Sequence, residues 1–215
     1  MKRLMIILIM MLTAMTVVKA QIVRADRGLI RWGVKASVDL NLATKWHTDA
    51  GNIKMYKPGA GFQIGGAGNF SLGKNFFLEP GVSLFFDQYR YDDIYLGYNS
   101  EKINPTITKF GIRIPINIGY AIPIREAELW VYTGPELSWA IIDKVHCSTP
   151  IEDAKIEDFL TRPKNFDLGW KVGLGLPIHS WLISFDSTFG LLNMNRSSSI
   201  TYRENRLALS LGYYF

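Results

Sequence analysis

Over four stretches of this chain every second residue is apolar, and that period restricts the fold more than any other feature. Trp32, Val34, Ala36, Val38, Leu40 and Leu42 alternate with Gly33, Lys35, Ser37, Asp39 and Asn41. Phe110, Ile112, Ile114, Ile116, Ile118 and Tyr120 alternate with Lys109, Gly111, Arg113, Pro115, Asn117 and Gly119. Leu168 to Ile178 repeats the pattern against Asp167, Gly169, Lys171, Gly173, Gly175 and Pro177, and Leu207 to Phe215 repeats it against Arg206, Ala208, Ser210, Gly212 and Tyr214. One parity is apolar throughout; the other is apolar only at Ala208 and Tyr214. Successive side chains of a strand point to opposite faces, so each stretch has one greasy face and one small or polar face. A helix, with its period of 3.6, would mix the two sets.

Four more segments alternate less cleanly: 59–72, 76–90, 128–142 and 181–192. Phe85, Trp130, Tyr132 and Leu182 fall there on the polar parity, against the scheme. Eight strands result. Their connections alternate in length, long at about 45–58, 92–105, 143–165 and 193–200, short at Gly73–Asn75, Ala121–Ala127 and His179–Ser180. The expected fold is all-β, an eight-stranded antiparallel up-and-down barrel with both termini at the short-turn end. Pro80, Pro115, Pro135 and Pro177 lack a ladder donor and are expected to mark bulges, Gly134-Pro135 above all.

The first residues read as an address. Lys2 and Arg3 precede an apolar run from Leu4 to Leu12, and Val18 and Ala20 put small residues before Gln21. This is the pattern of a secretory signal peptide, residues 1–20, cleaved between Ala20 and Gln21, leaving 21–215 as one domain. The apolar run is too short for a membrane-spanning helix. The whole chain has 24 basic and 19 acidic residues, a net charge of +5. The leader holds Lys2, Arg3 and Lys19 and no acid, so without it the net charge is +2. The basic character belongs largely to the leader and argues against a nucleic-acid partner.

An eight-stranded barrel can hold its apolar side chains inside, in water, or outside, in lipid. Three features favour lipid. Glycine crowds the polar face, where small residues make room in a narrow interior but gain nothing facing water. Tyr120, Trp139, Trp181 and Tyr213 stand near strand ends, where interface girdles belong. Most strands run to 12 residues or more, enough for a tilted span of about 9–11. The expected setting is the outer membrane of a Gram-negative cell, with its lipid as the surrounding partner.

The ending Leu-Gly-Tyr-Tyr-Phe, with Tyr213 and Phe215, is similar to the C-terminal signal that the outer-membrane assembly machinery reads. Phe110–Tyr120 (FGIRIPINIGY), Tyr132–Trp139 (YTGPELSW) and Leu78–Leu84 (LEPGVSL) resemble the PorT-like outer-membrane β-barrel family of Bacteroidetes. The resemblance covers nearly the whole mature chain, through strand patterns specific for fold rather than activity. It implies an outer-membrane location. Some members of that family serve protein secretion to the cell surface, so secretion-system or envelope proteins are implied as partners.

The polar parity holds Lys35, Asp39, Glu79, Asp87, Lys109, Arg113, Glu136, Lys171, Asp186 and Arg206. Five acids and five bases can pair inside without a net buried charge. A symmetric 121–127 turn would set Arg113 opposite Glu136. The 179–180 turn puts Lys171 diagonal to Asp186, and closure brings Asp39 and Arg206 to similar height. Such an interior holds only its own side chains, so the cluster is expected to be a structural plug rather than an ion pathway. His47, Asp49, Asp92, Asp93, Ser100 and His146 lie in or beside long loops and could compose a Ser–His–Asp set, as in a lipid-modifying barrel enzyme, but no nucleophile-elbow motif accompanies them. One cysteine, Cys147, excludes a disulfide framework. No metal or cofactor is expected. The expected role is structural or interaction-based, with the long loops as contact surface; a secretion accessory is the main alternative and a small pore a lesser one.

Overall fold

The computed structural model describes residues 30–42, 45–48, 51–54, 57–90, 94–96, 101–103, 106–125, 127–146, 164–194 and 201–215. The expected leader and its cleavage point at Ala20 and Gln21 lie outside the described residues. The strands are β1 (Ile30–Leu42), β2 (Lys45–Thr48), β3 (Gly51–Lys54), β4 (Gly59–Gly73), β5 (Phe76–Arg90), β6 (Ile94–Leu96), β7 (Glu101–Ile103), β8 (Thr106–Ile124), β9 (Ala127–His146), β10 (Phe166–Ile178), β11 (Trp181–Gly190) and β12 (Asn205–Tyr214). Eight of them close an antiparallel barrel in the order β1-β12-β11-β10-β9-β8-β5-β4. The first expected long loop contains the β2–β3 hairpin and the second the β6–β7 hairpin. Short turns join β4 to β5, β8 to β9 and β10 to β11. Lys74 and Asn75 both have positive φ, 47° and 71°, as a two-residue hairpin turn of the right twist demands.

The apolar parity faces outward. Val34, Val38, Leu40, Ile114, Ile116, Val172, Leu174, Leu209 and Leu211 are all exposed on the outer wall. Among the described residues no helix is long and apolar enough to cross a membrane. Rings gather on the outer wall at the short-turn end. Trp32 meets Phe70 at 5.8 Å, Phe76 meets Tyr120 at 4.9 Å, and Trp181 meets Tyr213 at 4.9 Å. This is the amphipathic belt of a lipid–water interface. Phe215, the last residue, donates its N–H to the Trp32 carbonyl at 2.9 Å, tying the end of the chain to the first strand.

The four exceptions to the alternation are interior residues. Phe85, Trp130, Tyr132 and Leu182 are each at most 3% exposed. With Phe77, Ala121 and Tyr214 three of them form a buried cluster at the short-turn end. Phe77 and Trp130 meet at 4.7 Å between centroids, their planes tilted by 41°. The small residues are the complement of these rings: a Cβ on Gly119 would collide with the Phe77 ring, and one on Gly173 with the Tyr132 ring.

The prolines do not mark bulges. Register shifts occur at Ser71/Gly73 and at Phe110/Gly111. Around Pro80, Pro115 and Pro135 the register is unchanged but the ladder is interrupted. The β4–β5 pairing passes from Ala67↔Gly81 to Phe70↔Leu78, β5–β8 from Ser83↔Arg113 to Pro80↔Ile116, and β8–β9 from Pro115↔Glu136 to Ile118↔Thr133. A missing N–H deletes a ladder bond without inserting a residue, so it leaves a gap and not a slip. Pro177 pairs with Leu182 without interruption.

If the outer wall meets lipid, Leu209→Arg at the middle of β12 should lower unfolding stability in lipid vesicles by about 2–4 kcal/mol, measured by denaturant titration. Stability equal to wild type would place that wall in water.

Candidate functional site

The lumen is stacked in layers of charge above the aromatic cluster, and all ten charged residues of the polar parity point into it. Nine are buried, and the Lys35 side chain is 21% exposed. Just above the rings, Lys35 on β1 pairs with Glu79 on β5 at 2.5 Å. Tyr214 donates to the other Glu79 oxygen at 2.6 Å, and Asn117 Nδ2 donates to Glu79 at 3.4 Å. At the same end the Arg31 guanidinium stands over Tyr214 and Trp130, at 5.4 and 5.9 Å.

The central layer crosses the barrel. Arg113 on β8 reaches Asp39 on β1 at 2.7 Å and also bonds Asp87 on β5. Asp39 further accepts from Ser37 at 2.9 Å and Gln63 at 3.2 Å, and lies 3.7 Å from Arg206 Nε. Arg206 on β12 bonds Glu136 on β9, which also takes Lys171 at 2.5 Å. The Arg113 guanidinium lies 3.9 Å from the Phe85 ring centroid, covering one face of its charge with an aromatic ring.

One pairing differs from the sequence expectation, and another keeps its expected register without forming an ion pair. Arg113 does not pair with Glu136. The strands run on to Ile124 and resume at Ala127, so the register is Pro115↔Glu136 and Arg113↔Ser138. A turn shorter than the 121–127 expected slides Glu136 two places from Arg113, which finds its carboxylates across the lumen. Lys171 is diagonal to Asp186 as expected, with Lys171↔Thr188 and Gly173↔Asp186. Its ammonium nevertheless goes to Glu136, and Asp186 takes the hydroxyls of Tyr132 and of Ser210, the latter at 3.3 Å. Asp39 and Arg206 do come together across the closing pair.

The outermost layer contains a residue that the alternation does not reach. Glu204, on the segment entering β12, accepts from Lys109 at 2.5 Å and from Tyr89 and Tyr202 at 3.0 Å each. In the ring order β12 and β8 stand diametrically opposite, so the Glu204–Lys109 bond spans the mouth. Burial pushes the Glu204 carboxyl up, but the adjacent Lys109 ammonium outweighs it and holds the group below the usual carboxylate value. Only Lys109 was legible beforehand. Glu204 sits outside the alternating stretch, and Tyr89 looks like any other strand aromatic.

Two polar cavities of about 50 Å³ each flank the central layer. The outer one is lined by Tyr89, Lys109, Asp167, Met194 and Glu204, the inner one by Lys35, Glu79, Asn117, Tyr132 and Asp186. Of the loop residues considered for catalysis, His47 falls in β2 and His146 ends β9. Asp49, Asp92, Asp93, Ser100 and Cys147 lie outside the described residues. Among the described residues no group of acids, histidines or cysteines could hold a metal ion.

Removing one partner of a buried ionic network leaves uncompensated charge. Arg113→Ala takes the near counterion from both Asp39 and Asp87 and should cost about 3–5 kcal/mol of stability in detergent; a melting temperature equal to wild type would show that the central layer does not hold the barrel together. Glu204 gives a second test. Its folded value lies below the unfolded one of about 4.3. The stability it contributes is complete above that value and is lost as pH falls through the folded one. As pH falls below about 4.3, Glu204→Gln should therefore lose stability less steeply than wild type in acid melting curves.

Comparison with known proteins agrees with this architecture. The family model described as "Outer membrane protein beta-barrel domain" matches residues 19–196. No curated protein matches the sequence. Among solved structures the chain is similar to the outer membrane protein OprG of Pseudomonas aeruginosa, at 9% identity over 90% of this chain and 99% of that one, with a TM-score of 0.50. It is also similar to Ail, the attachment invasion locus protein of Yersinia pestis, at 13% identity over 87% and 100% of the two chains, with a TM-score of 0.42. At 9% identity the likeness to OprG concerns the fold alone. A closed eight-stranded barrel, greasy outside and charged within, together with a family match over most of its length, makes this chain a member of the outer membrane protein β-barrel domain family, seated in the outer membrane.

Proposed function

We propose that this protein works through its long-loop end as an interaction or structural barrel, and neither conducts solutes nor catalyses a reaction. The observation that carries this reading is the closure of the lumen. Bonds from Arg113, Arg206, Lys35 and Glu204 cross it at successive levels, and the Trp130 cluster fills the short-turn end. The charged set is then a structural plug. Charges removed from water hold together only when paired and hydrogen-bonded, and a barrel of eight strands is just wide enough for its own side chains.

In outer-membrane barrels the short turns face the periplasm and the long loops the exterior. The β2–β3 and β6–β7 hairpins belong to the long-loop end, and that end is the contact surface. Tyr213 and Phe215 serve as the signal to the assembly machinery. A narrower role, as an accessory of a protein secretion apparatus, is supported by the resemblance of Phe110–Tyr120, Tyr132–Trp139 and Leu78–Leu84 to PorT-like barrels.

Planar-bilayer recording of the purified protein should show no large stable conductance steps; such steps would overturn the plugged reading. Crosslinking in intact cells, followed by recovery of the barrel, should capture envelope proteins through the long loops. Copurification of a secretion apparatus would establish the narrower role, and capture that is unchanged when residues 45–54 are replaced by a short glycine-serine turn would remove the first hairpin from the contact surface.

A further inference from the structure

The three ladder gaps lie side by side. Gly68–Asn69 against Glu79–Pro80, Gly81–Val82 against Ile114–Pro115, and Ile116–Asn117 against Gly134–Pro135 are unpaired in three successive strand pairs, β4–β5, β5–β8 and β8–β9. Each gap contains one proline. Pro80 faces Ile116 and Pro115 faces Glu136, the neighbour of Pro135, so the gaps run around one level of the wall. The same level of the opposite wall, β11–β12, pairs without interruption from Trp181↔Tyr213 to Phe189↔Asn205.

Two further observations point to what occupies this seam. Asn69 and Asn117 are 7% and 3% exposed, both belong to the gaps, and Asn69 Nδ2 and Asn117 Oδ1 have no hydrogen-bond partner. The inner cavity lies directly behind. It is lined by Asn117, Glu79, Gly81 and Pro115 from the inside, and also by Ala36 and Val82, whose side chains belong to the outer face. A cavity of about 50 Å³ that reaches Asn117 and Glu79 is large enough for water, which binds where buried polar groups lack protein partners. Backbone groups without a ladder bond cannot be left bare in hydrocarbon.

We infer that the β4–β5–β8 part of this wall holds a built-in water site, and that this hydrated seam is where the barrel wall opens locally. The water bonds Asn117 Oδ1 and the Gly81 carbonyl, which faces Pro115 and so lacks a ladder donor.

Amide hydrogen exchange of the barrel in lipid nanodiscs tests this. Gly81, Val82, Ile114, Ile116, Asn117 and Gly134 should exchange roughly tenfold or more faster than Ser184, Phe185, Leu209 and Ser210 on the opposite wall. Pro115→Ala restores a donor and should slow exchange at Gly81 and Val82 by about tenfold while leaving β11–β12 unchanged; Pro135→Ala should do the same at Ile116 and Asn117. Water-to-protein magnetisation transfer should reach the side-chain amide of Asn117. Equal protection of the two walls, or a dry Asn117, would overturn the inference, as would exchange indifferent to both substitutions.

Discussion

Lipid offers no hydrogen-bonding partner to a peptide group, and the rest of this structure follows from that. A sheet inside a membrane must have no free edge, so β1 and β12 have to meet. They do so over ten register pairs from Gly33↔Tyr214 to Leu42↔Asn205. Closure then fixes the contents. With eight strands the lumen is narrow, every inward position competes for the same space, and glycines must lie under the Phe77 and Tyr132 rings. Charge inside such a tube has no solvent to fall back on, so each ion needs a counterion or hydrogen-bond donors within the lumen.

That need explains the cross-barrel character of the ionic network. Arg113 bridges to Asp39 and Asp87, on strands other than its hairpin partner, and Arg206 reaches Glu136 across three steps of the ring. The bonds are chords of a circle, and they brace the wall while they block the axis. A planar guanidinium suits such a chord, since one side chain can hold two carboxylates in fixed directions. The wall is strong where its ladder is whole and weak along the proline level, where lost donors coincide with the unsatisfied Asn69 Nδ2 and Asn117 Oδ1.

The alternation made the strands and their outward faces legible. It also made the ten interior charges legible, because a charged residue on the parity opposite a run of Val, Ile and Leu has only the lumen to enter. Phe85, Trp130, Tyr132 and Leu182 looked like faults in the same pattern, since apolar character alone does not say which face of a membrane strand a residue takes. Arg113 and Glu136 were assigned to each other from an assumed turn, and a slip of two residues preserved the face while changing the partner. Glu204 was missed because it precedes its strand and carries no periodic signal.

The sequence by itself determined the period of the strands, their number and order, the long and short connections, and the sorting of residues into two faces. These depend on local chemistry, the geometry of an extended backbone and the positions of turns. Only the tertiary structure decided which charges pair, which rings fill the short-turn end, and where the ladder fails. Those outcomes depend on closure and on the shear between strands, which bring together residues as distant as Arg113 and Asp39 or Lys109 and Glu204, and no repeat along the chain encodes them.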